Sequence, residues 1–153
     1  MKPTSIRAAT AADAPAAQAC VAAAFERYIV RIGRPPAPMM ADYAALIAQG
    51  AVWVTGQAGR VDGVLVLYDV DEGRQCYLDT VAVAPARQGE GLGRALIEFA
   101  EREAVRRGFD ALHLRTNVKM VENQTLYPKL GYVEVERRSD GGFERVFYRK
   151  ALG

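Results

Sequence analysis

The residues best suited to chemistry form a glycine-rich loop, Gln88-Gly89-Glu90-Gly91-Leu92-Gly93-Arg94, between a β-type run and an amphipathic helix pattern. Three alternating glycines let successive backbone N–H groups point into one concave space. The start of the following helix adds a partial positive charge, so the loop suits an anion such as a pyrophosphate. Arg87 and Arg94 flank the loop as candidate partners of phosphate oxygens. The alternative interpretation is a tight strand-to-helix turn that carries two surface arginines.

The spacing of the glycines does not fit the common nucleotide-binding loops. A Walker loop needs G-K-[ST] after four spacer residues, and that tripeptide does not occur in the chain. A Rossmann fingerprint that starts at Gly89 or Gly91 has Arg94 or Leu96 at its sixth position, where close packing requires Gly or Ala. A nucleotide-binding regulator is therefore disfavoured.

The composition is that of an ordinary globular protein. The chain has 153 residues, of which 50% are hydrophobic and 25% charged, and this predicts a single domain over residues 1–153 with a substantial core. The net charge of +2 gives no reason to expect nucleic acid or a membrane surface as a partner. No apolar run approaches the roughly 20 residues of a membrane span, and no apolar signal segment is recognised in residues 1–10. Because Cys20 and Cys76 stand alone, we expect no disulfide framework, no metal site and a reducing cytoplasmic location.

Periodicity and breaking residues predict the elements that must position the loop. Helices are predicted over residues 11–27, 42–49, 92–107 and 120–130. Strands are predicted over residues 5–9, 51–55, 61–70, 75–83, 111–115, 132–137 and 143–150. The segment 31–40 must interrupt regular structure because Pro35-Pro36 cannot lie inside a helix or a ladder. The chain is therefore predicted to be a mixed α/β domain that ends in a hairpin around residues 139–142.

Three segments together resemble a known family. The pattern Q/R-x-x-G-x-G/A, read as Gln88 to Gly93, follows Val81-Ala82-Val83-Ala84-Pro85 and precedes the segment LYPKLGY at residues 126–132. These segments and the order of elements strongly resemble the GNAT N-acetyltransferase superfamily over nearly the whole chain. The resemblance implies a mostly antiparallel sheet of six to seven strands, helices on both faces and a splayed central strand pair. It also implies transfer of the acetyl group of acetyl-CoA to a primary amine of a small molecule or peptide, by direct attack in a ternary complex without a metal.

The resemblance assigns the coenzyme to the loop and to the strand before it. The pyrophosphate would take main-chain hydrogen bonds from Gln88, Gly89, Glu90, Gly91, Leu92, Gly93 and Arg94. The pantetheine arm would lie along Val81, Ala82 and Val83 like an added strand, and the Val83 N–H would polarise the thioester carbonyl. Met120 replaces the family's coenzyme-contacting asparagine, and Asn123 is the candidate to take over that contact.

Tyr127 and Asp79 are the candidate catalytic residues. Tyr127 matches the tyrosine that protonates the coenzyme A thiolate in many relatives, and a phenol with a pKa near 10 suits that task. Pro128 disfavours helical geometry at Tyr127 and removes a backbone donor, which threatens the orientation of the phenol. Asp79 shares strand parity with Val81 and Val83, so it is a candidate base acting through water. The alternative for Asp79 is a polar residue tied to a neighbouring loop.

The acceptor site is the least defined part of the prediction. In such folds it is built from the first helices and their connection, which here contain Tyr28, Arg31 and Arg34 beside the Pro35-Pro36 turn. Two arginines next to a tyrosine suit a small acidic substrate, while a solvated loop is the alternative. A homodimer is left open. The rival function is a non-catalytic acyl-CoA-binding or sensing domain, which Met120 and Pro128 favour.

Overall fold

The structure is a computed structural model that describes residues 5–56 and 59–153. Its strands are β1 (Ile6–Ala8), β2 (Val52–Thr55), β3 (Gly63–Val70), β4 (Gln75–Val83), β5 (Ala111–Asn117), β6 (Val133–Asp140) and β7 (Phe143–Ala151). Its helices are α1 (Ala14–Ile32), α2 (Tyr43–Ala48), α3 (Leu92–Arg106) and α4 (Val121–Lys129), with short 3-10 turns at Ala11–Asp13, Ala37–Met40 and Pro85–Arg87. None of the helices in the described segments is long and apolar enough to cross a membrane.

The strands form a seven-stranded sheet in the order β1-β2-β3-β4-β5-β7-β6. Strands β1 with β2, β2 with β3, β5 with β7 and β6 with β7 pair antiparallel. Strands β4 and β5 pair in parallel at two register positions, Tyr77 with His113 and Leu78 with Leu114. That pairing is short for strands of nine and seven residues. The predicted fold class, a mixed and mostly antiparallel α/β fold, is confirmed.

Two predicted boundaries were wrong for identifiable reasons. Helix α1 continues to Ile32 and ends at Gly33, whose φ of 91° is left-handed, so the two prolines begin only after the helix has ended. Strand β6 extends to Asp140, and the final hairpin turns on Gly141 and Gly142 alone. Their φ values of 61° and 81° suit the two-residue type I′ turn, which matches the twist of the flanking strands.

The chain divides into two compact units. Among the described residues, unit 1 comprises 5–56, 59–67 and 79–100. Its helix α1 buries one face with the three-four spacing of an amphipathic helix, at Ala17, Cys20, Val21, Ala24, Phe25 and Tyr28. Helix α3 approaches strand β3 closely at Gly63, where an added β-carbon would lie 3.1 Å from Leu96 Cδ1 and 2.9 Å from Thr55 Cγ2. The glycine therefore permits the packing that holds the start of α3 on the sheet.

Unit 2 comprises Tyr68–Leu78 and Glu101–Gly153. Its core contains Leu112, Leu114 and Thr116 from β5, Val146 and Tyr148 from β7, and the aromatic rings of Tyr127 and Tyr132. The hydroxyl of Tyr132 donates to Glu101 Oε2 at 2.8 Å, and Lys150 Nζ donates to the same carboxylate at 3.1 Å. The prediction of a single domain over residues 1–153 stays a prediction.

Candidate active site

Strand β4 in unit 1 presents one face to a core and the other towards solvent. Thr80 and Ala82 are buried, whereas Asp79, Val81 and Val83 are partly exposed. Side chains at alternate positions of a strand share a face. Asp79 therefore points to the same side as the two valines that were predicted to line the coenzyme arm.

Near the end of β4, the backbone groups at its two edges have different hydrogen-bond partners. The Ala84 N–H donates to the Asp62 carbonyl at 2.8 Å. Because neighbouring backbone groups of an extended chain point to opposite edges, the N–H and C=O of Val83 point to the other edge. The Val83 carbonyl accepts a hydrogen bond from Gln88 Nε2 at 3.2 Å. The glycine loop is thus tied to the edge on which the Val83 N–H lies.

Two glycines give the loop its shape. Gly89 and Gly91 have φ values of 84° and 81°, in the left-handed region that side chains with a β-carbon rarely adopt. A β-carbon on either would meet no protein atom within 4 Å, so the loop leaves open space around both. Gly93 differs, because it lies in helix α3 and its β-carbon would make an ordinary contact of 3.6 Å with Val83 Cγ2.

Helix α3 begins where the loop ends. Its first hydrogen bond runs from Ala95 N to Gly91 O at 3.0 Å. The first four N–H groups of an α-helix have no acceptor within the helix, and here they belong to Gly91, Leu92, Gly93 and Arg94. The segment from Pro85 to Gly91 is exposed to solvent. The arrangement offers backbone donors and a positive helix end to an anion.

The arginines beside the loop are paired with glutamates. Arg87 Nη2 lies 3.4 Å from Glu90 Oε1, and Arg94 Nε lies 3.0 Å from Glu98 Oε1. All four side chains are well exposed, and exposed pairs of this kind stabilise a protein by about 0–1 kcal/mol. Either guanidinium can therefore exchange its carboxylate for a phosphate at small cost.

Tyr43 is a neighbour of Asp79 that the sequence did not reveal. Its ring is 2% exposed, and its hydroxyl donates to the Pro38 carbonyl at 2.6 Å. Burial raises the pKa of Tyr43, and the nearby Asp79 carboxylate raises it further. Thr80 Oγ1 donates to Asp79 Oδ2 at 3.2 Å. The only sequence signal was an isolated tyrosine directly after Asp42, which caps helix α2.

The predicted acceptor residues lie at the end of helix α1 and just beyond it. Tyr28 is 3% exposed, and its hydroxyl accepts from Arg27 Nη2 at 2.7 Å. The guanidinium carbons of Arg27 and Arg31 lie 4.8 and 5.1 Å from the centre of the Tyr28 ring. Arg31 and Arg34 are exposed. Tyr28 thus serves as a buried platform for two arginines, and Arg34 follows Gly33 after the helix has ended.

Tyr127 lies in helix α4 of unit 2. Tyr127 is 7% exposed. Its ring packs edge-on against Tyr132, with centroids 5.8 Å apart, and lies tilted against Tyr148, with centroids 5.7 Å apart. Pro128 follows within the helix and does not end it at Tyr127. The helix closes with hydrogen bonds from Leu130 N and Tyr132 N to Tyr127 O, both 3.0 Å long.

The side chains of Asn123 and Met120 both contact the hydroxyl of Thr116. Asn123 Nδ2 donates to Thr116 Oγ1 at 2.9 Å, and that hydroxyl lies 3.9 Å from the Met120 sulfur. Met120 is 7% exposed and precedes helix α4 as its N-cap residue. Met120 therefore fills a buried position. The side-chain amide in this region belongs to Asn123, three residues later.

Comparison with known proteins identifies the family. Residues 17–132 match the acetyltransferase (GNAT) family. The mycothiol acetyltransferase of Jonesia denitrificans is 31% identical over 81 residues, which are 53% of this chain but only 26% of that protein. Because the family match over residues 17–132 covers more than half of the chain, the chain belongs to the GNAT acetyltransferase family, as predicted.

Solved structures share the fold. PaiA N-acetyltransferase from Thermoplasma acidophilum, in complex with coenzyme A, has a TM-score of 0.80 at 13% identity, covering 99% of this chain and all of that one. The structure of yncA from Salmonella typhimurium with its cofactor acetyl-CoA has a TM-score of 0.71 at 22% identity, covering 99% of this chain and 95% of that one. The predicted cosubstrate agrees with these two complexes. Within the described residues, no three His, Cys, Asp or Glu side chains are grouped so as to hold a metal ion.

Proposed function

We propose that this chain is an N-acetyltransferase that moves the acetyl group of acetyl-CoA to a primary amine by direct attack in a ternary complex. The observation that supports it best is the loop from Gln88 to Arg94, where two left-handed glycines precede a helix in a member of the GNAT family. The backbone donors of this loop suit the pyrophosphate of the coenzyme.

The edge of β4 suits the rest of the coenzyme. The pantetheine amides would pair with the backbone of Val81 to Val83 as an added strand does. A carbonyl oxygen has two lone pairs, so the Val83 carbonyl can keep the Gln88 amide while it accepts from the ligand. The Val83 N–H then donates to the thioester oxygen, which gains negative charge during the reaction.

The chemistry requires a neutral amine and a proton for the leaving thiolate. The ammonium form of the acceptor first loses a proton through water to Asp79. The neutral nitrogen then attacks the thioester carbon, the C–N bond forms, and the C–S bond breaks as the sulfur leaves. Tyr127 gives its hydroxyl proton to that sulfur, and the second proton released by the amine nitrogen passes through water to restore the Tyr127 hydroxyl. A base is needed because only about one lysine-type amine in 2,500 is neutral at pH 7.

For the acceptor, we propose a small amine that carries a carboxylate or phosphate. Arg31 and Arg34 are exposed cations at the end of α1 and just beyond it, and Arg31 stacks on the Tyr28 ring. A charge-assisted hydrogen bond contributes about 1.5–3 kcal/mol. Arg31→Ala and Arg34→Ala should each raise the acceptor KM by roughly tenfold to a hundredfold and leave coenzyme A affinity unchanged.

Arg27→Ala is the matched control, since Arg27 stacks on the same ring and bonds the Tyr28 hydroxyl. An equal rise in KM from Arg27→Ala, which also removes an exposed cation beside Tyr28, would contradict a specific role for Arg31 in binding the acceptor. A preference for polyamines or basic peptides would exclude an acidic acceptor.

Thiol release from acetyl-CoA over a panel of amines tests the activity itself. Release that depends on an added amine and yields its acetyl derivative supports the proposal. Tight coenzyme A binding without turnover on any amine would favour the rival, a non-catalytic acyl-CoA-binding domain. ATP or NAD binding more tightly than coenzyme A would overturn both.

A further inference from the structure

Four arginines surround Phe147 on one face of strands β5, β7 and β6 in unit 2. Arg115 is the register partner of Phe147, and Arg145 and Arg149 lie two residues before and after it. Alternate residues of a strand share a face, and directly opposite β-carbons are about 5 Å apart. The guanidinium carbon of Arg138 lies 4.2 Å from the centre of the Phe147 ring. We call Arg115, Arg138, Arg145 and Arg149 the arginine patch.

Two carboxylates lie within the patch. Asp140 Oδ2 is 3.8 Å from Arg115 Nε and 3.7 Å from Arg145 Nη1. Glu136 Oε1 accepts from Arg138 Nε at 2.7 Å. On this face of the three strands, the described residues thus carry four guanidinium groups and two carboxylates.

The arginine patch combines solvent-exposed N–H donors with a buried apolar ring beneath them. Phe147 is 3% exposed, so an apolar ring lies beneath the charges. Arg138 and Arg149 are exposed, and Arg145 is mostly covered. Arginine presents a planar fork of N–H groups that matches carboxylates and phosphates, and its interactions are stronger beside low-dielectric surroundings.

We propose that the arginine patch binds a small dianion, either a phosphate group or a dicarboxylate. The two exposed arginines, Arg138 and Arg149, supply N–H forks from neighbouring strands, and a dianion can pair with both of them. This inference does not depend on the acetyl transfer proposed above.

His113 is a reporter for occupancy of the patch. It is the chain's single histidine, it is the register partner of Arg149, and its ring stacks on Tyr77 with centroids 5.4 Å apart. Burial lowers the pKa of His113, the positive charge of Arg149 lowers it further, and Asp110 opposes this. An anion bound at Arg149 should therefore raise the pKa of the imidazole and move its NMR signals.

The test follows the His113 ring signals while inorganic phosphate, or separately malonate, is added at constant ionic strength set with chloride. We expect a saturable shift with one or both dianions. Arg149→Gln and Arg138→Gln should each weaken that binding by roughly tenfold to a hundredfold. Arg106→Gln, which removes an exposed arginine on α3 that pairs with Glu103, should bind like the native chain.

The absence of a saturable shift with either dianion would overturn the proposal, as would native affinity in both patch variants. Loss of the shift in Gly91→Val would place the anion at the glycine loop and would also overturn it. Binding of a glutamate-rich peptide without binding of small dianions would point instead to a polypeptide partner. Because Arg149 is exposed, Arg149→Gln keeps the test decisive even if Arg138→Gln, which loses its stacking on Phe147, does not fold.

Discussion

The glycine loop of unit 1 and the Tyr127 helix of unit 2 both carry segments that resemble the family, but the two sites are specified differently. In the loop, the proposed function depends on backbone geometry, and glycine permits the left-handed φ of residues 89 and 91. In helix α4, the proposed function depends on the side chain of Tyr127, and the nearby residues Met120 and Pro128 depart from the family pattern. The Tyr127 ring packs against Tyr132 and Tyr148, and we expect this packing to set its orientation.

This difference shows which kind of site tolerates local irregularity. A backbone site fails when a single φ becomes unfavourable, because its donors belong to the chain that is distorted. A side-chain site tolerates a proline beside it as long as the surrounding rings hold the side chain. Variants in the two regions should therefore fail in different ways.

The largest expected effect is on turnover at Tyr127. Tyr127→Phe should lower kcat by roughly 10²–10⁴ while acetyl-CoA affinity stays near native, because only the proton donor to the thiolate is lost. Steady-state kinetics together with calorimetry of coenzyme A binding would measure this split.

Tyr132→Phe is the control for that variant. The Tyr132 hydroxyl bonds Glu101, so its loss should reduce the free energy of unfolding by about 1–3 kcal/mol and leave kcat unchanged. Equal kcat values for Tyr127→Phe and the native enzyme would mean that Tyr127 only packs, or that the thiolate leaves into water unassisted.

An intermediate effect is expected from a matched pair in the loop. Gly91→Val forces a β-branched residue to a φ of 81°, which costs about 1–3 kcal/mol, so both stability and coenzyme A affinity should fall. Gly93→Ala is helical and unstrained, and alanine favours a helix interior by about 1 kcal/mol over glycine. It should therefore keep or raise the melting temperature and still weaken coenzyme A binding by roughly tenfold, if the pyrophosphate approaches that backbone closely.

Calorimetry and thermal unfolding of the two variants separate loop strain from ligand collision. Native coenzyme A affinity in Gly93→Ala would show that the ligand does not pass over residue 93. Native affinity in Gly91→Val would remove the loop from the coenzyme site altogether.

The sequence predicted the family, the fold class and the order of the elements because these depend on local patterns. Strand parity placed Asp79 beside Val81 and Val83 correctly, and the glycines marked the start of α3. Contacts between distant segments were not predictable. Nothing in the sequence indicated that Tyr43 reaches Pro38 and Asp79, or that Arg138 stacks on Phe147, because each contact depends on tertiary packing or strand register.

The smallest expected effect is at Pro128, and it tests the comparison most directly. Pro128→Ala restores an N–H in the last turn of α4 but also frees the unfolded chain, and these opposing effects should change the free energy of unfolding by less than about 1 kcal/mol. If Tyr132 and Tyr148 hold the Tyr127 ring, kcat should stay within about threefold of native, whereas a 1 Å misplacement of a catalytic group costs roughly a hundredfold. Kinetics of Pro128→Ala would decide between these outcomes. A gain or loss of kcat beyond tenfold would show that the proline, and not the packing, sets the orientation of Tyr127. The Tyr127 site would then depend on the backbone of α4 as strictly as the glycine loop depends on its own backbone.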